Sequence, residues 1–136
     1  MHQVYLGLGS NQGDRESQIA RAIELIGERV GQVFRQSSIV ETKPWGFMSG
    51  NLFLNCAIYC ETELMPRKLL QVTKEIEREL GRRHKGGAYR DRTIDIDILL
   101  YDDITIDEPD LQIPHPLMEQ RDFVMIPLNE IKDSNK

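Results

Sequence analysis

A chain of 136 residues that is 40% hydrophobic and 29% charged can bury the core of one globular domain. Its formal net charge of -5 argues against a general affinity for nucleic acid or anionic membranes, because either would require a broad basic surface. No apolar run approaches the roughly 18 residues of a membrane span, and a glycine turn comes too early for a signal peptide. We therefore expect a cytoplasmic protein with one domain over residues 1–131 and a polar tail over residues 132–136.

The first predicted elements are a strand, a helix and a second strand. Alternating apolar residues predict a strand over residues 3–9, which leads into a Gly-Ser-Asn turn at residues 9–11. From Asp14 to Val30, apolar residues recur at the spacing of a helix with one buried face. Residues 32–40 alternate more weakly and predict another strand. The chain contains no dinucleotide-binding or P-loop fingerprint.

A loop and a long strand follow. Residues 41–50 have no regular period and contain proline, two glycines and the one tryptophan of the chain, Trp45. Trp45 could contact a ligand or fold back onto the core, and the sequence leaves both open. Residues 52–62 alternate as a strand, which places Cys56 and Cys60 on its inward face as reduced core thiols.

The outward face of this strand carries Phe53 and Asn55 as neighbours. An aromatic ring beside an amide that donates and accepts hydrogen bonds is suited to a flat heterocycle. A sheet face covered by another element is the alternative interpretation.

A helix and a basic segment come next. Pro66 opens a predicted helix that ends near Leu80, with Leu70, Lys74 and Glu77 along one face. In residues 81–92, five of twelve residues are Lys or Arg and three are Gly. Such a segment can form a flexible lid over a polyphosphate, because arginines bind phosphate oxygens and glycines allow motion. A solvated basic loop is the alternative.

Residues 92–100 show the clearest strand pattern in the chain. Apolar residues at 94, 96 and 98 alternate with Asp95 and Asp97, which therefore project from the same side, roughly 6 to 7 Å apart. Two carboxylates this close indicate a divalent cation, and the lack of a nearby His or Cys on that face favours magnesium over zinc. The alternative is a solvated face whose aspartates pair with Lys or Arg. The basic segment immediately before the strand favours the metal.

The last segments are shorter. Residues 104–106 predict an edge strand, and a Pro-His-Pro sequence then leads into a short helical turn. His115 is constrained between two prolines, which favours a fixed task over a mobile surface position. Arg121 precedes a final apolar segment that opens at Phe123 and extends to Ile131.

Together, six motifs resemble the 6-hydroxymethyl-7,8-dihydropterin pyrophosphokinase family of folate biosynthesis over residues 3–131. They are the Gly-Ser-Asn turn at 9–11, E-T-x-P-x-G at 41–46, Phe-Leu-Asn at 53–55, R-x-x-D-x-D-I at 92–98, Pro-His-Pro at 114–116 and Arg-Asp-Phe at 121–123. The resemblance implies a ferredoxin-like α+β sandwich, in which helices pack on an antiparallel sheet. It also implies transfer of the pyrophosphoryl group of ATP to the pterin hydroxymethyl oxygen, with release of AMP.

The resemblance further implies roles for individual residues. Two Mg²⁺ ions would be bound by Asp95 and Asp97, and the catalytic residues would be Arg82, Arg92 and Asp97. The residues implied in ATP binding are Leu70, Lys74, Glu77, Arg82, His84, Tyr89, Arg92, Ile98, Gln112, His115 and Arg121. The residues implied in pterin binding are Thr42, Pro44, Trp45, Gly46, Phe53, Asn55, Asp95 and Phe123.

Two other functions are compatible with the sequence patterns. One is a kinase that transfers only the γ-phosphoryl group of ATP to another small alcohol. The other is a ferredoxin-like module that binds single-stranded RNA, although an acidic pair beside Phe53 would repel a phosphate backbone without metal. For the pyrophosphokinase, ATP and a reduced pterin are the expected partners of a monomer that binds neither nucleic acid nor membrane.

Overall fold

The computed structural model describes residues 1–11, 13–42, 52–81 and 94–132. Seven residues with predicted roles and the polar tail beyond Lys132 lie outside this part of the chain. The seven residues are Pro44, Trp45, Gly46, Arg82, His84, Tyr89 and Arg92.

The described chain forms seven strands, three α-helices and one 3₁₀ turn. The strands are β1 (His2–Ser10), β2 (Val33–Gln36), β3 (Val40–Thr42), β4 (Phe53–Thr62), β5 (Asp95–Tyr101), β6 (Ile106–Glu108) and β7 (Leu111–Ile113). The α-helices are α1 (Arg15–Arg29), α2 (Pro66–Gly81) and α3 (Asp122–Lys132), and one 3₁₀ turn spans Met118–Gln120. None of the described helices is long and apolar enough to cross a membrane.

The main sheet is antiparallel and has the strand order β2-β4-β1-β5. The short strand β3 also pairs with β4, beyond the end of β2. Strands β6 and β7 form a separate hairpin. The two central strands, β4 and β1, therefore lie between β5, which carries the aspartates, and the short strands β2 and β3.

One face of the sheet packs against α1 and α2. Alternate side chains of β1, β4 and β5 enter this core, and each helix contributes a stripe of buried residues at helical spacing. Cys56 and Cys60 are buried here as free thiols, as predicted. Burial raises the pKa of both thiols to about 12, which keeps them protonated and inert.

The ends of α1 follow from local chemistry. The side chain of Asp14 caps the helix by accepting a hydrogen bond from the Ser17 N–H at 3.1 Å. After the helix, Gly31 passes so close to β4 that a Cβ would overlap the carbonyl oxygen of Glu61. Only glycine therefore permits the chain to enter β2 at this position.

The other face of the sheet is covered at one end by α3. Ile131 of α3 packs with Tyr59 and Ala57, and Leu128 packs with Leu99. Arg35 of β2 donates a hydrogen bond to the carbonyl of Ile131 at 3.1 Å, which attaches the end of α3 to the sheet. The carboxylates of β5 lie toward the opposite end of this face.

The prediction of one strand over residues 32–40 was wrong, because two strands separated by residues 37–39 occupy this region. The Oγ of Ser37 accepts the hydrogen bond of the Ala57 N–H at 2.9 Å, a place that a backbone carbonyl takes in a regular ladder. Ser38 is then held by Glu130 of α3 through its N–H and its hydroxyl. Similarly, the edge strand predicted at residues 104–106 is β6 at Ile106–Glu108, where it pairs with β7.

Candidate functional site

The register of β4, β1 and β5 brings three predicted site residues, Asn55, Asp95 and Asp97, to the same part of the sheet. Gly9 is the register partner of Asn55 on β4 and of Asp95 on β5. In the next row of the same face, Gly7 is the partner of Ala57 and of Asp97. Because Gly9 has no side chain, the Asn55 amide and the Asp95 carboxylate border a shallow trough in the sheet, whereas the side chain of Leu99 lies next to Gly7.

Strand β5 positions the two carboxylates by its alternation. Ile94, Ile96 and Ile98 are buried in the core on the helix side, so Asp95 and Asp97 project from the opposite face and stay half-buried. This confirms that the two aspartates share a face. The side chain of Asp97 is 38% exposed and is therefore accessible to a ligand.

The electrostatics of this face disfavour a further negative charge. Partial burial raises the pKa of the Asp97 carboxyl above its ordinary value, and repulsion by Asp95 and Glu77 adds to the effect. Arg121 and Lys74 oppose this rise only in part. A cation between the carboxylates would relieve the repulsion, so the donor set fits a hard divalent ion.

The described residues offer few protein ligands to such an ion. Within residues 1–11, 13–42, 52–81 and 94–132, no group of three or more His, Cys, Asp or Glu side chains could hold a metal. Magnesium prefers six oxygen ligands and usually keeps waters or substrate phosphates among them. Asp95 and Asp97 therefore suit an ion that is shared with a bound polyphosphate.

Glu77 of α2 supports the aspartate strand from its outer edge. Its Oε2 accepts a hydrogen bond from the Ile96 N–H at 2.7 Å, while Lys74 Nζ lies 3.5 Å from its Oε1. Burial, followed by repulsion from Asp95, raises the pKa of Glu77 to about 7. Sequence reasoning assigned Glu77 to ATP and missed this contact, because no local pattern shows which backbone N–H a helix side chain will reach.

His115 and Arg121 approach the same carboxylates from the segment after β7. The His115 N–H donates to the Leu99 carbonyl at 3.1 Å, and its Nε2 lies 3.9 Å from Asp97 Oδ1. Burial and the positive charge of Arg121 lower the pKa of His115, which favours the neutral imidazole. Its Nδ1 is buried and has no hydrogen-bond partner among the described residues.

Asn55 is held at the opposite side of the trough. Its Nδ2 donates a hydrogen bond to Thr42 Oγ1 at 3.0 Å, and Thr42 is the register partner of Phe53. Three residues predicted to bind the pterin are therefore in contact or paired. Phe123, which is also predicted to bind the pterin, lies in the first turn of α3, where the guanidinium of Arg121 is 5.7 Å from its ring centroid.

Three predicted ATP residues are engaged elsewhere. The side chain of Ile98 is buried in the core, and Leu70 packs against the same core. The amide of Gln112 donates to Asp107 within the β6-β7 hairpin at 3.4 Å. Any contact of Ile98 with a nucleotide must therefore come from its backbone.

Gly9 was overlooked as a site residue. Sequence reasoning used it only as part of a turn, whereas it lies inside β1 between Asn55 and Asp95. Glycine inside a strand signals a close approach of another group, and that signal was present in the sequence.

Comparisons with known proteins agree over nearly the whole chain. A sequence model of the family described as 7,8-dihydro-6-hydroxymethylpterin-pyrophosphokinase (HPPK) matches residues 5–133. A 2-amino-4-hydroxy-6-hydroxymethyldihydropteridine pyrophosphokinase of Porphyromonas gingivalis is 50% identical over 131 residues, 94% of this chain and 89% of that protein. The Aquifex aeolicus protein of the same name is 46% identical over 132 residues, 97% of this chain and 81% of its own.

Solved structures show the same fold at low sequence identity. A crystal structure of HPPK-DHPS in complex with substrates matches 96% of this chain with a TM-score of 0.76 and 15% identity. The wild-type HPPK-DHPS of Plasmodium falciparum matches 95% of it with a TM-score of 0.75 and 17% identity. This chain spans 40% and 41% of those two solved chains.

Proposed function

The chain belongs to the 7,8-dihydro-6-hydroxymethylpterin-pyrophosphokinase family, and we propose that it transfers pyrophosphate from ATP to 6-hydroxymethyl-7,8-dihydropterin in a magnesium-dependent reaction. Its relatives are ATP-dependent pyrophosphokinases of folate biosynthesis, and the chain is a transferase of that kind. The observation that carries the proposal is the shared face of Asp95, Asp97 and Asn55, which combines a place for a cation with a place for a ring.

The proposed reaction is an attack by the pterin hydroxyl oxygen on the β-phosphorus of ATP. A bond forms between that oxygen and the β-phosphorus, the bond from the β-phosphorus to the α-β bridging oxygen breaks, and the hydroxyl proton is released. The products are AMP and the pterin diphosphate. Such transfers depend mainly on positioning and on stabilisation of negative charge.

Asp95 and Asp97 would hold two Mg²⁺ ions together with oxygens of ATP. Bound magnesium supplies neutralisation of phosphate charge and alignment of the two substrates. Asp97 is also placed to ease loss of the hydroxyl proton. Arg82 and Arg92, which lie outside the described residues, are proposed to stabilise the negative charge that shifts toward AMP.

For the substrates, the proposal uses both sides of the trough. Asn55 and Thr42 are proposed to read the edge of the pterin, which stacks between Phe53 and Phe123, while Asp95 faces it from β5. His115, Arg121, Lys74 and Glu77 are proposed on the ATP side, together with Leu70, Ile98 and Gln112. The neutral, partly buried imidazole of His115 can donate a hydrogen bond to a phosphate oxygen.

We propose that the specific fold is a ferredoxin-like sandwich. The order of elements, with β1-α1-β2 followed by β4-α2-β5, and the strand order β2-β4-β1-β5 support it. We further propose that residues 1–131 form one domain that acts as a monomer.

The test is incubation of the full chain with ATP, Mg²⁺ and 6-hydroxymethyl-7,8-dihydropterin, followed by separation of the nucleotides. AMP and the pterin diphosphate in equal amounts are expected, and omission of Mg²⁺ should stop their formation. ADP as the sole nucleotide product would indicate a γ-phosphoryl kinase instead. Salt-dependent binding of single-stranded RNA without turnover would indicate the binding module.

A further inference from the structure

Gly9 occupies a position where any side chain would meet Asn55. A Cβ built on Gly9 would lie 2.9 Å from Asn55 Oδ1 and 3.6 Å from Phe53 Cδ1. The first distance is shorter than an ordinary carbon-oxygen contact, so one of the two groups would have to move.

Asn55 has little freedom to move. Its side chain is buried, and its Nδ2 donates to Thr42 Oγ1 at 3.0 Å. Rotation of the amide away from a Cβ at position 9 would lengthen or break that hydrogen bond. The orientation of the Asn55 amide therefore depends on the missing side chain at position 9 as well as on Thr42.

Gly9 also separates Asn55 from Asp95, which is its register partner on the other side. A displaced Asn55 amide would therefore move relative to the Asp95 carboxylate, which the same ring is proposed to contact.

We propose that Gly9 is a positioning residue that determines affinity for the ring of the substrate by holding the Asn55 amide in place. This rests on the proposed function, because the ring is the pterin of that reaction. Gly9 supplies no group of its own and acts through Asn55.

Gly7 provides a matched control on the same strand and the same face. The three atoms nearest to a Cβ built there all belong to the side chain of Leu99, at 3.4 to 3.6 Å, which is ordinary van der Waals contact. Gly7→Ala and Gly9→Ala thus add the same methyl group two residues apart, and only the second is aimed at the amide.

The experiment measures, for each variant, the Kd of 6-hydroxymethyl-7,8-dihydropterin by fluorescence titration, the KM for ATP and kcat. Gly9→Ala is expected to raise the pterin Kd about tenfold, the effect of displacing one hydrogen-bonding amide. The KM for ATP should stay within about twofold of wild type, and Gly7→Ala should leave both constants within about twofold. Equal effects of the two substitutions on the pterin Kd would overturn the proposal.

A double-mutant cycle separates positioning from a general loss of structure. In an Asn55→Ala background the 2.9 Å contact no longer exists, so adding Gly9→Ala should change the pterin Kd little. A tenfold further loss in the double variant would show that Gly9 does not act through Asn55. The cycle remains decisive if Gly9→Ala alone folds poorly, because the double variant lacks the clash.

The activity of the wild-type chain shows whether a failure concerns the role of Gly9 or the proposed function itself. If wild type forms no AMP from ATP and the pterin, the proposed function fails and the role of Gly9 fails with it. If wild type is active and Gly9→Ala binds the pterin normally, only the role of Gly9 is wrong.

Discussion

At the scale of single residues, the site depends on two carboxylates of one strand that repel each other. Asp95 and Asp97 project from one face of β5, and Glu77 adds a third negative charge beside them. This arrangement costs free energy in the absence of a cation. Such a cost is expected where a protein binds a metal together with its substrate, because binding relieves the repulsion.

Asp97→Asn tests this arrangement. We expect kcat/KM with Mg²⁺ to fall by about 100-fold or more, since the amide cannot replace a charged ligand. Stability without ligand should be equal or greater, because one of two like charges is removed. Steady-state kinetics and thermal unfolding measure the two effects.

Asp103→Asn is the matched control, because Asp103 is exposed in the turn after β5. It should retain wild-type kinetics. Near-normal activity of Asp97→Asn would show that Asp97 does not bind the metal.

A second prediction concerns Asp102, which is at the far end of β5 and adopts a positive φ of 49°. Hydrogen bonds from the Gln3 N–H and from His2, each 2.7 Å, lower the pKa of its carboxyl. A lowered folded pKa stabilises the protein above the unfolded pKa, which is about 3.9. That stabilisation is lost as the pH falls through the folded pKa.

Asp102→Asn should therefore destabilise the protein by about 1 kcal/mol or less at pH 7, since the carboxylate is partly exposed. Asparagine tolerates the same backbone conformation. The difference between wild type and variant in urea unfolding should shrink below about pH 4. A difference that stays constant from pH 7 to pH 3 would contradict this assignment.

At the scale of secondary-structure elements, Arg15 connects the start of α1 to β3 and to the start of β4, which carry residues of the proposed pterin site. Its NH1 donates to Glu41 Oε2 at 3.0 Å and to the Leu52 carbonyl at 2.8 Å. These residues directly precede Thr42 and Phe53, which pair across β3 and β4. Arg15 thus holds together the two chain segments that carry this part of the proposed pterin site.

Arg15→Gln should raise the pterin Kd by about two- to fivefold, the range for a partly exposed ion pair. The KM for ATP should not change, because Arg15 donates both of these hydrogen bonds to segments of the proposed pterin side. Arg21→Gln on the same helix is the control, because Arg21 pairs with Glu24 of the same helix at 3.2 Å on the surface. Equal effects of the two substitutions on the pterin Kd would show that the hydrogen bonds of Arg15 do not affect pterin binding.

At the scale of the whole molecule, the two faces of the sheet have different tasks. The α1 and α2 face holds most of the hydrophobic core, whereas the other face is shared between α3 and the proposed site. Asn55, Asp95 and Asp97 come from a sheet that is braced on one side by helices, so these three residues lie on rigid elements.

Ligand binding should therefore stabilise the fold in a manner that depends on magnesium. At a concentration of about 100 times Kd, MgATP should add about 2.7 kcal/mol to the free energy of unfolding. ATP with EDTA should add much less, and Asp97→Asn should lose most of the MgATP effect. Thermal unfolding with and without each ligand measures this; equal shifts with and without Mg²⁺ would argue against a metal shared with ATP.

Local patterns in the sequence determined much of this protein. The period of two in β4 and β5 assigned Asn55, Asp95 and Asp97 to their faces, and the period near 3.6 located α1 and α2, because both patterns depend only on backbone geometry. Six short motifs, taken together in their order and spacing, indicated the family.

Only the tertiary structure decided which of these residues meet. It placed Gly9 between Asn55 and Asp95, brought Glu77 to the Ile96 N–H, and split the predicted strand at Ser37. These contacts join segments that are distant in the chain, and they arise from the register of the sheet and from the packing of helices on it. A local pattern specifies the face to which a side chain points, but the partner across from it is chosen by the fold.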